Sequence, residues 1–160
     1  MDKYVIGVDV GGTNIKLGLV SPSKRVIDRT NFITKSFVRD RRKLVNAVVD
    51  RIVEIVSKNG LAKKDIQGVG IGLPGLVDTP NGIVRFLPNI PGWRNVPLKR
   101  NLESKLGIPV FLENDVNLIT LGEWKYGAGR GASDMICMTL GTGVGSGLIL
   151  DGHLYRGPSF

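Results

Sequence analysis

The chain predicts a layered α/β domain, and three observations carry that prediction. Apolar strand-like runs open the sequence, a long amphipathic stretch follows them, and a buried strand-like run returns after it. Strands interleaved with helices bury their apolar faces by stacking a helical layer on a sheet. A repeat accompanies this order: GVDVGGTNIKLGLV near the start and MTLGTGVGSGLIL near the end both read as strand, Gly/Thr turn, strand.

Ile6 to Val20 reads as two strands closing on Gly11-Gly12, because Gly-Gly between apolar runs supplies the positive φ of a tight hairpin. Such a turn also bares consecutive backbone N–H groups, which can form a concavity for phosphate. An ordinary hairpin accounts for the same residues. After Ser21-Pro22-Ser23-Lys24, Arg25 to Thr34 predicts a third strand and an antiparallel start to the sheet. Between Val38 and Lys58, Leu44, Val45, Val48, Val49, Ile52, Val53, Ile55 and Val56 recur at three- and four-residue spacing. That spacing predicts a helix ended by Asn59-Gly60. Ile66 to Leu73 predicts a buried strand stopped by Pro74-Gly75.

Val77 to Pro97 is loop-rich, with Pro80, Pro88, Pro91 and Pro97 around a short strand at Ile83 to Phe86. Loops of this length in a compact domain tend to be functional. A helix over Leu98 to Leu106 ends at Gly107, and Pro109 to Leu112 is a short buried strand. Val116 to Tyr126 predicts another helix. Asp134 to Leu140 and Val144 to Leu150 form a last hairpin around Gly141-Thr142-Gly143.

With 42% hydrophobic and 22% charged residues, the 160-residue chain has the composition of a soluble globular protein. No apolar run reaches membrane-spanning length, and no leader is visible, so cytoplasmic residence is expected. Cys137 has no partner for an internal disulfide, and with the single His153 it is too little for a Cys/His metal site. The net charge of +8 is dispersed over Lys24 to Lys43, Lys63-Lys64 and Lys99-Arg100 without interleaved aromatics. A solvated basic face fits this better than a nucleic-acid surface.

The chemistry concentrates in three places. Two glycine hairpins facing one another could grip a polyphosphate from both sides, with Asp9 and Lys16 beside the first. Glu113-Asn114-Asp115 falls at a strand end and a helix start, where ligands commonly meet open α/β sheets. Asn114 or Asp115 also suits a plain helix N-cap. The alternative role is a carboxylate that takes the proton of an attacking hydroxyl in phosphoryl transfer, kept ionised by the helix N-terminus. In Leu87-Pro88-Asn89-Ile90-Pro91-Gly92-Trp93, Asn89 can donate and accept hydrogen bonds, which suits a sugar hydroxyl or an ordinary turn.

Taken in order, DVGGTNIKLGLV, GIGLPGLVD, LPNIPGW, ENDVNLITLGEWKYGAGRG and TLGTGVGSGLILDGHLYRG resemble the amino-terminal half of the ROK family. That family joins bacterial glucokinases and related hexose kinases to sugar-responsive repressors. The resemblance implies the sugar-kinase, actin and heat-shock chaperone fold, with an RNase H-like α/β domain over residues 1–115 and the first strands of a second, truncated domain over 116–160. It implies ATP-dependent phosphorylation of a hexose, glucose to glucose 6-phosphate, with Mg2+. Gly11, Gly12, Thr13, Asn14 and Lys16 would line the ATP phosphates, with Asp9 near the magnesium and Gly141, Thr142 and Gly143 as the second clamp. Gly75, Asn89 and Asn114 would contact the sugar, and Asp115 would be the general base.

The family's next motif, a sugar-binding Glu-x-x-Gly-His, is not among these residues, and neither is the zinc loop of many members. Zinc therefore has no expected site in this chain. The expectation is a half whose sugar and nucleotide pockets are incomplete, weakly active or inactive by itself, from a homo-oligomeric parent. A family repressor is the alternative, although Met1 leads into a strand where repressors carry a helix-turn-helix. A self-associating fragment is another, since strands without sheet partners expose edges and apolar faces.

Overall fold

The computed structural model describes residues 3–33, 40–88, 90–141 and 143–158. Three strands open the chain: β1 (Tyr4–Val10), β2 (Asn14–Val20) and β3 (Val26–Ile33). They pair antiparallel, Asp9 opposite Lys16 and Leu17 opposite Thr30. Helix α1 (Arg41–Lys58) then crosses to β4 (Ile66–Leu73), which runs parallel to β1. The excursion β5 (Leu76–Asp78), β6 (Ile83–Phe86) and β7 (Arg94–Val96) forms a small antiparallel sheet of its own. Helix α2 (Leu98–Leu106) leads to β8 (Val110–Asn114), parallel to β4, which completes a five-stranded sheet in the order β3-β2-β1-β4-β8. Helix α3 (Asp115–Tyr126) is followed by β9 (Met135–Leu140), β10 (Val144–Leu150) and β11 (His153–Tyr155), a third sheet in the order β11-β10-β9.

Alternation decides which face is buried. Ile6, Val8 and Val10 on β1, Ile15, Leu17 and Leu19 on β2, and Val69, Ile71 and Leu73 on β4 all point to the helical layer and are at most 4% exposed. That layer answers with Leu44, Val48 and Ile52 of α1 and Leu98, Leu102 and Leu106 of α2. Each such side chain stabilises the fold by about 1.5–3 kcal/mol relative to an exposed position. Val84, Leu87, Ile90, Trp93 and Val96 extend the same core beneath the small sheet, so Trp93 is a packing residue.

The ends of α1 are defined by side chains. Asp40 Oδ1 accepts from the Arg42 and Lys43 N–H groups at its start. At its finish Lys58 and Asn59 both reach Asp28 Oδ2 on β3, each at 2.9 Å. The Lys58 ammonium, then the Asn59 amide, holds the Asp28 carboxyl below its ordinary range. The helix thus starts three residues later than the periodicity from Val38 predicts, and residues 34–39 lie outside the described residues. The other face of the five-stranded sheet carries Gly7, Gly18 and Gly70 side by side on β1, β2 and β4. No described helix is long and apolar enough to cross a membrane.

Candidate functional site

The parallel strands β1, β4 and β8 end at the same edge of the sheet, and of the predicted site residues Asp9, Gly75, Asn114 and Asp115 lie at or just past those ends. Asp9 is the penultimate residue of β1. Its carboxylate lies 4.0 Å from Lys16 Nζ across the hairpin, and both side chains are more than half exposed. Between them the turn closes with Gly11 N–H donating to Asn14 O at 3.0 Å. Gly11 is required here for proximity: a Cβ would stand 2.8 Å from that same Asn14 oxygen. Its φ lies outside the left-handed region, so the positive φ expected of this hairpin is not what selects glycine at position 11. Gly12 completes the half-buried part of the turn, while Thr13 and Asn14 are exposed.

The second hairpin closes in the same manner, Gly141 N–H donating to Gly143 O at 3.0 Å, at an exposed tip. Added Cβ atoms at Gly141 and Gly143 would meet nothing within 4 Å, so open space surrounds both. Thr142 and Asn89 lie outside the described residues.

The Glu113-Asn114-Asp115 turn divides its labour. Asn114 is the N-cap of α3, its Oδ1 accepting from Asn117 N–H at 3.1 Å, while its Nδ2 donates to Gly75 O at 3.2 Å. Gly75 sits where a Cβ would collide with Phe86 O at 2.2 Å, so only glycine lets this segment lie against the end of β6. Asp115 is therefore freed from capping. Its Oδ1 accepts the Val116 N–H at 2.9 Å, and the residue is half-buried.

Burial pushes the Asp115 carboxyl above its ordinary value. The Val116 N–H opposes that shift, and the Asp9 charge reinforces it. The helix N-terminus was expected to keep Asp115 ionised, but desolvation outweighs it here, and a stronger proton acceptor results. Glu113 is 7% exposed and reaches Arg156 Nε at 2.7 Å. Sequence reasoning missed Arg156 and Asn117 as members of this site. Asn117 carries a legible signal in its i+3 spacing from Asn114, whereas Arg156 has none.

A cleft of about 320 Å³ opens beside the turn, with Gly75, Glu113, Asn114 and Asn117 on one wall and Ser146, Gly147, Tyr155 and Arg156 on the other. Helix α3 lies beside it, between the two sheets. It packs on Gly72 of β4 through Asp115 and Leu118, and on Gly145 and Gly147 of β10 through Val116 and Thr120. Among the described residues no group of three or more His, Cys, Asp or Glu could hold a metal.

A five-stranded mixed sheet of this order, with its polar groups at one edge and a second sheet across a cleft, defines the actin/hexokinase-like class of α/β fold. Within that class the chain belongs to the ROK family, whose model matches residues 5–159. It is 41% identical to a glucokinase of Thermotoga maritima over 155 residues, covering 96% of this chain and 46% of that protein. A ROK glucokinase from Streptomyces griseus, solved with glucose and AMPPNP, is 40% identical and superposes with a TM-score of 0.83, over 96% of this chain and 46% of that one. A xylose repressor of Caldicellulosiruptor bescii is 35% identical over 97% of this chain and 38% of its own length. The chain thus spans less than half the length of these relatives.

Proposed function

We propose that this chain is the amino-terminal half of an ATP-dependent hexose kinase, converting glucose to glucose 6-phosphate. The observation that carries the reading is Asp115: a half-buried carboxylate of raised proton affinity, relieved of capping by Asn114, at the edge where β1 and β8 end. Asp115 accepts the proton of the sugar hydroxyl as that oxygen attacks the γ-phosphate. Asn114, held by Gly75, and Asn89 orient the sugar. The turns at Gly11, Gly12, Thr13, Asn14 and Lys16 and at Gly141, Thr142 and Gly143 receive the phosphates through N–H groups other than the Gly11 and Gly141 donors that close them, together with the Lys16 ammonium.

Asp9 is a single exposed carboxylate beside an open turn. That suits Mg2+, which keeps most of its waters and takes one or two protein carboxylates alongside phosphate oxygens. When bound, the ion neutralises charge on the phosphates. Residues 116–160 begin a second domain, and the cleft between the two is the place of transfer. The protein works in the cytoplasm as a homo-oligomer, and this half alone turns over poorly because its pockets are incomplete.

A coupled assay of glucose-dependent ADP release tests the reading. The isolated chain falls well below the ~1–100 per second of ordinary kinases, and Asp115→Asn in the longer protein lowers transfer by about 10²–10⁴-fold. Transfer unaffected by that substitution would remove Asp115 from the chemistry. The likeness to a xylose repressor favours a second reading, a sugar-responsive regulator. Salt-dependent binding to a specific DNA site, without hexose phosphorylation, would decide for it.

A further inference from the structure

Glu113 is a buried carboxylate that the proposed chemistry does not use, yet it accepts four hydrogen bonds. Three reach Oε1 from around the β8–α3 turn: Thr79 Oγ1 at 3.4 Å, the Asn114 N–H at 3.0 Å and Asn117 Nδ2 at 3.0 Å. The fourth comes to Oε2 from Arg156 Nε, one residue past β11. One oxygen therefore serves the β8–α3 turn and the end of β5, and the other the segment just past β11. Because Asn114 also caps Asn117 and bonds Gly75 O, Glu113 fixes both ends of the turn that carries Asp115.

The Arg156 contact is charge-assisted and short, at 2.7 Å. Withdrawing it leaves a buried carboxylate with Oε2 unpaired, a state that a 7%-exposed group resists. The guanidinium side is different: the Arg156 side chain is 44% exposed, so replacing it opens no core.

We propose that Arg156 is a positioning residue for phosphoryl transfer: through Glu113 it locks the Asn114–Asp115 turn of the first sheet to the β9–β11 sheet. The sugar-facing turn and the second glycine hairpin then hold one fixed relation across the cleft. The consequence for catalysis rests on the functional reading above, while the lock itself stands on the chain Arg156, Glu113, Asn114 and Asn117.

The lock is tested in this chain by NMR hydrogen exchange of the Asn114 and Asn117 side-chain amides. R156Q speeds both by about tenfold or more, as expected when a charge-assisted partner is lost. The backbone amides of Ile52 and Leu102 in the core keep their wild-type rates, and R156K, which retains the charge, restores most of the protection. Unchanged side-chain exchange in R156Q overturns the proposal. So does a rise shared equally by the core amides, which would reduce Arg156 to a general stabiliser.

In the longer protein, R156Q lowers kcat by about 100-fold while KM for ATP is held, as misplacement by an ångström does; an unchanged kcat also overturns the proposal. D115N separates the two ideas, since it leaves the amide exchange at wild-type rates. Transfer that survives D115N removes the base reading, and the exchange data then decide the lock by themselves.

Discussion

Gly147→Ala should separate α3 from β10, and its cost follows from the contact distances. A Cβ on Gly147 would stand 2.1 Å from Thr120 Oγ1 and 2.9 Å from Thr120 Cβ. The hydroxyl has little freedom to yield, because Thr120 is fully buried and its Oγ1 donates to Val116 O at 2.8 Å. The Thr120 Cβ is fixed to the helix backbone, so α3 must retreat by about 1 Å to recover an ordinary 3.5–4.0 Å carbon contact. Overpacking of this kind costs about 1–3 kcal/mol. In a chain of this length that lowers Tm by about 2–4 °C per kcal/mol.

Thr120→Ala removes Oγ1 and Cγ2 and leaves only the 2.9 Å approach, so the second substitution relieves part of the first. Urea unfolding of both single variants and the double variant, followed by tryptophan fluorescence, should give a coupling of about 0.5–3 kcal/mol. A neutral Gly147→Ala, or a strictly additive cycle, would refute the reasoning.

Three further outcomes follow from the same structure. Asp115→Asn should leave stability unchanged or raise it at neutral pH, because the folded carboxyl binds its proton more tightly than the unfolded one and its charge is therefore unfavourable. The advantage of the variant disappears as pH falls through the raised folded value toward the ordinary carboxylate value, and parallel thermal melts across that range check the sign. Asp9→Asn should lower the titration midpoint of the Asp115 carboxyl, since burial and the Asp9 charge both raise it; an NMR titration showing no change would remove that charge from the account. Leu102→Ala, at a 1%-exposed position of α2, should cost about 2–5 kcal/mol in urea unfolding.

Periodicity and punctuation located the elements that carry them strongly. Ile66–Leu73, Ile83–Phe86, Leu98–Leu106 and Val144–Leu150 have the boundaries expected from apolar spacing and from flanking Pro and Gly. The three-residue strands β5, β7 and β11 were not legible, because alternation over three positions is no pattern. The role of Asn114 as cap was foreseen together with the rival assignment to Asp115, and only the donor from Asn117 decides between them. For Asp115 the helix N-terminal N–H groups act in the direction expected, but the larger opposing effect of burial, and the Asp9 charge from a strand distant in sequence, were not legible. The Arg156–Glu113 pair spans 43 positions, and no local spacing rule reaches that far.

Helix α3 carries the candidate base on its first residue and a tethered Trp124 near its last, where the indole N–H donates to Ala132 O at 2.7 Å. Nine residues of helix put these two points about 13 Å apart. Pivoted on its contact with Gly147, the helix would act as a lever. A tilt of about 10° about the Thr120–Gly147 contact, roughly 7.5 Å along the helix from Asp115, would move Asp115 by about 1 Å, the size of misplacement that matters for a proton acceptor. On the proposed reading, the distal turn would then be a handle on Asp115.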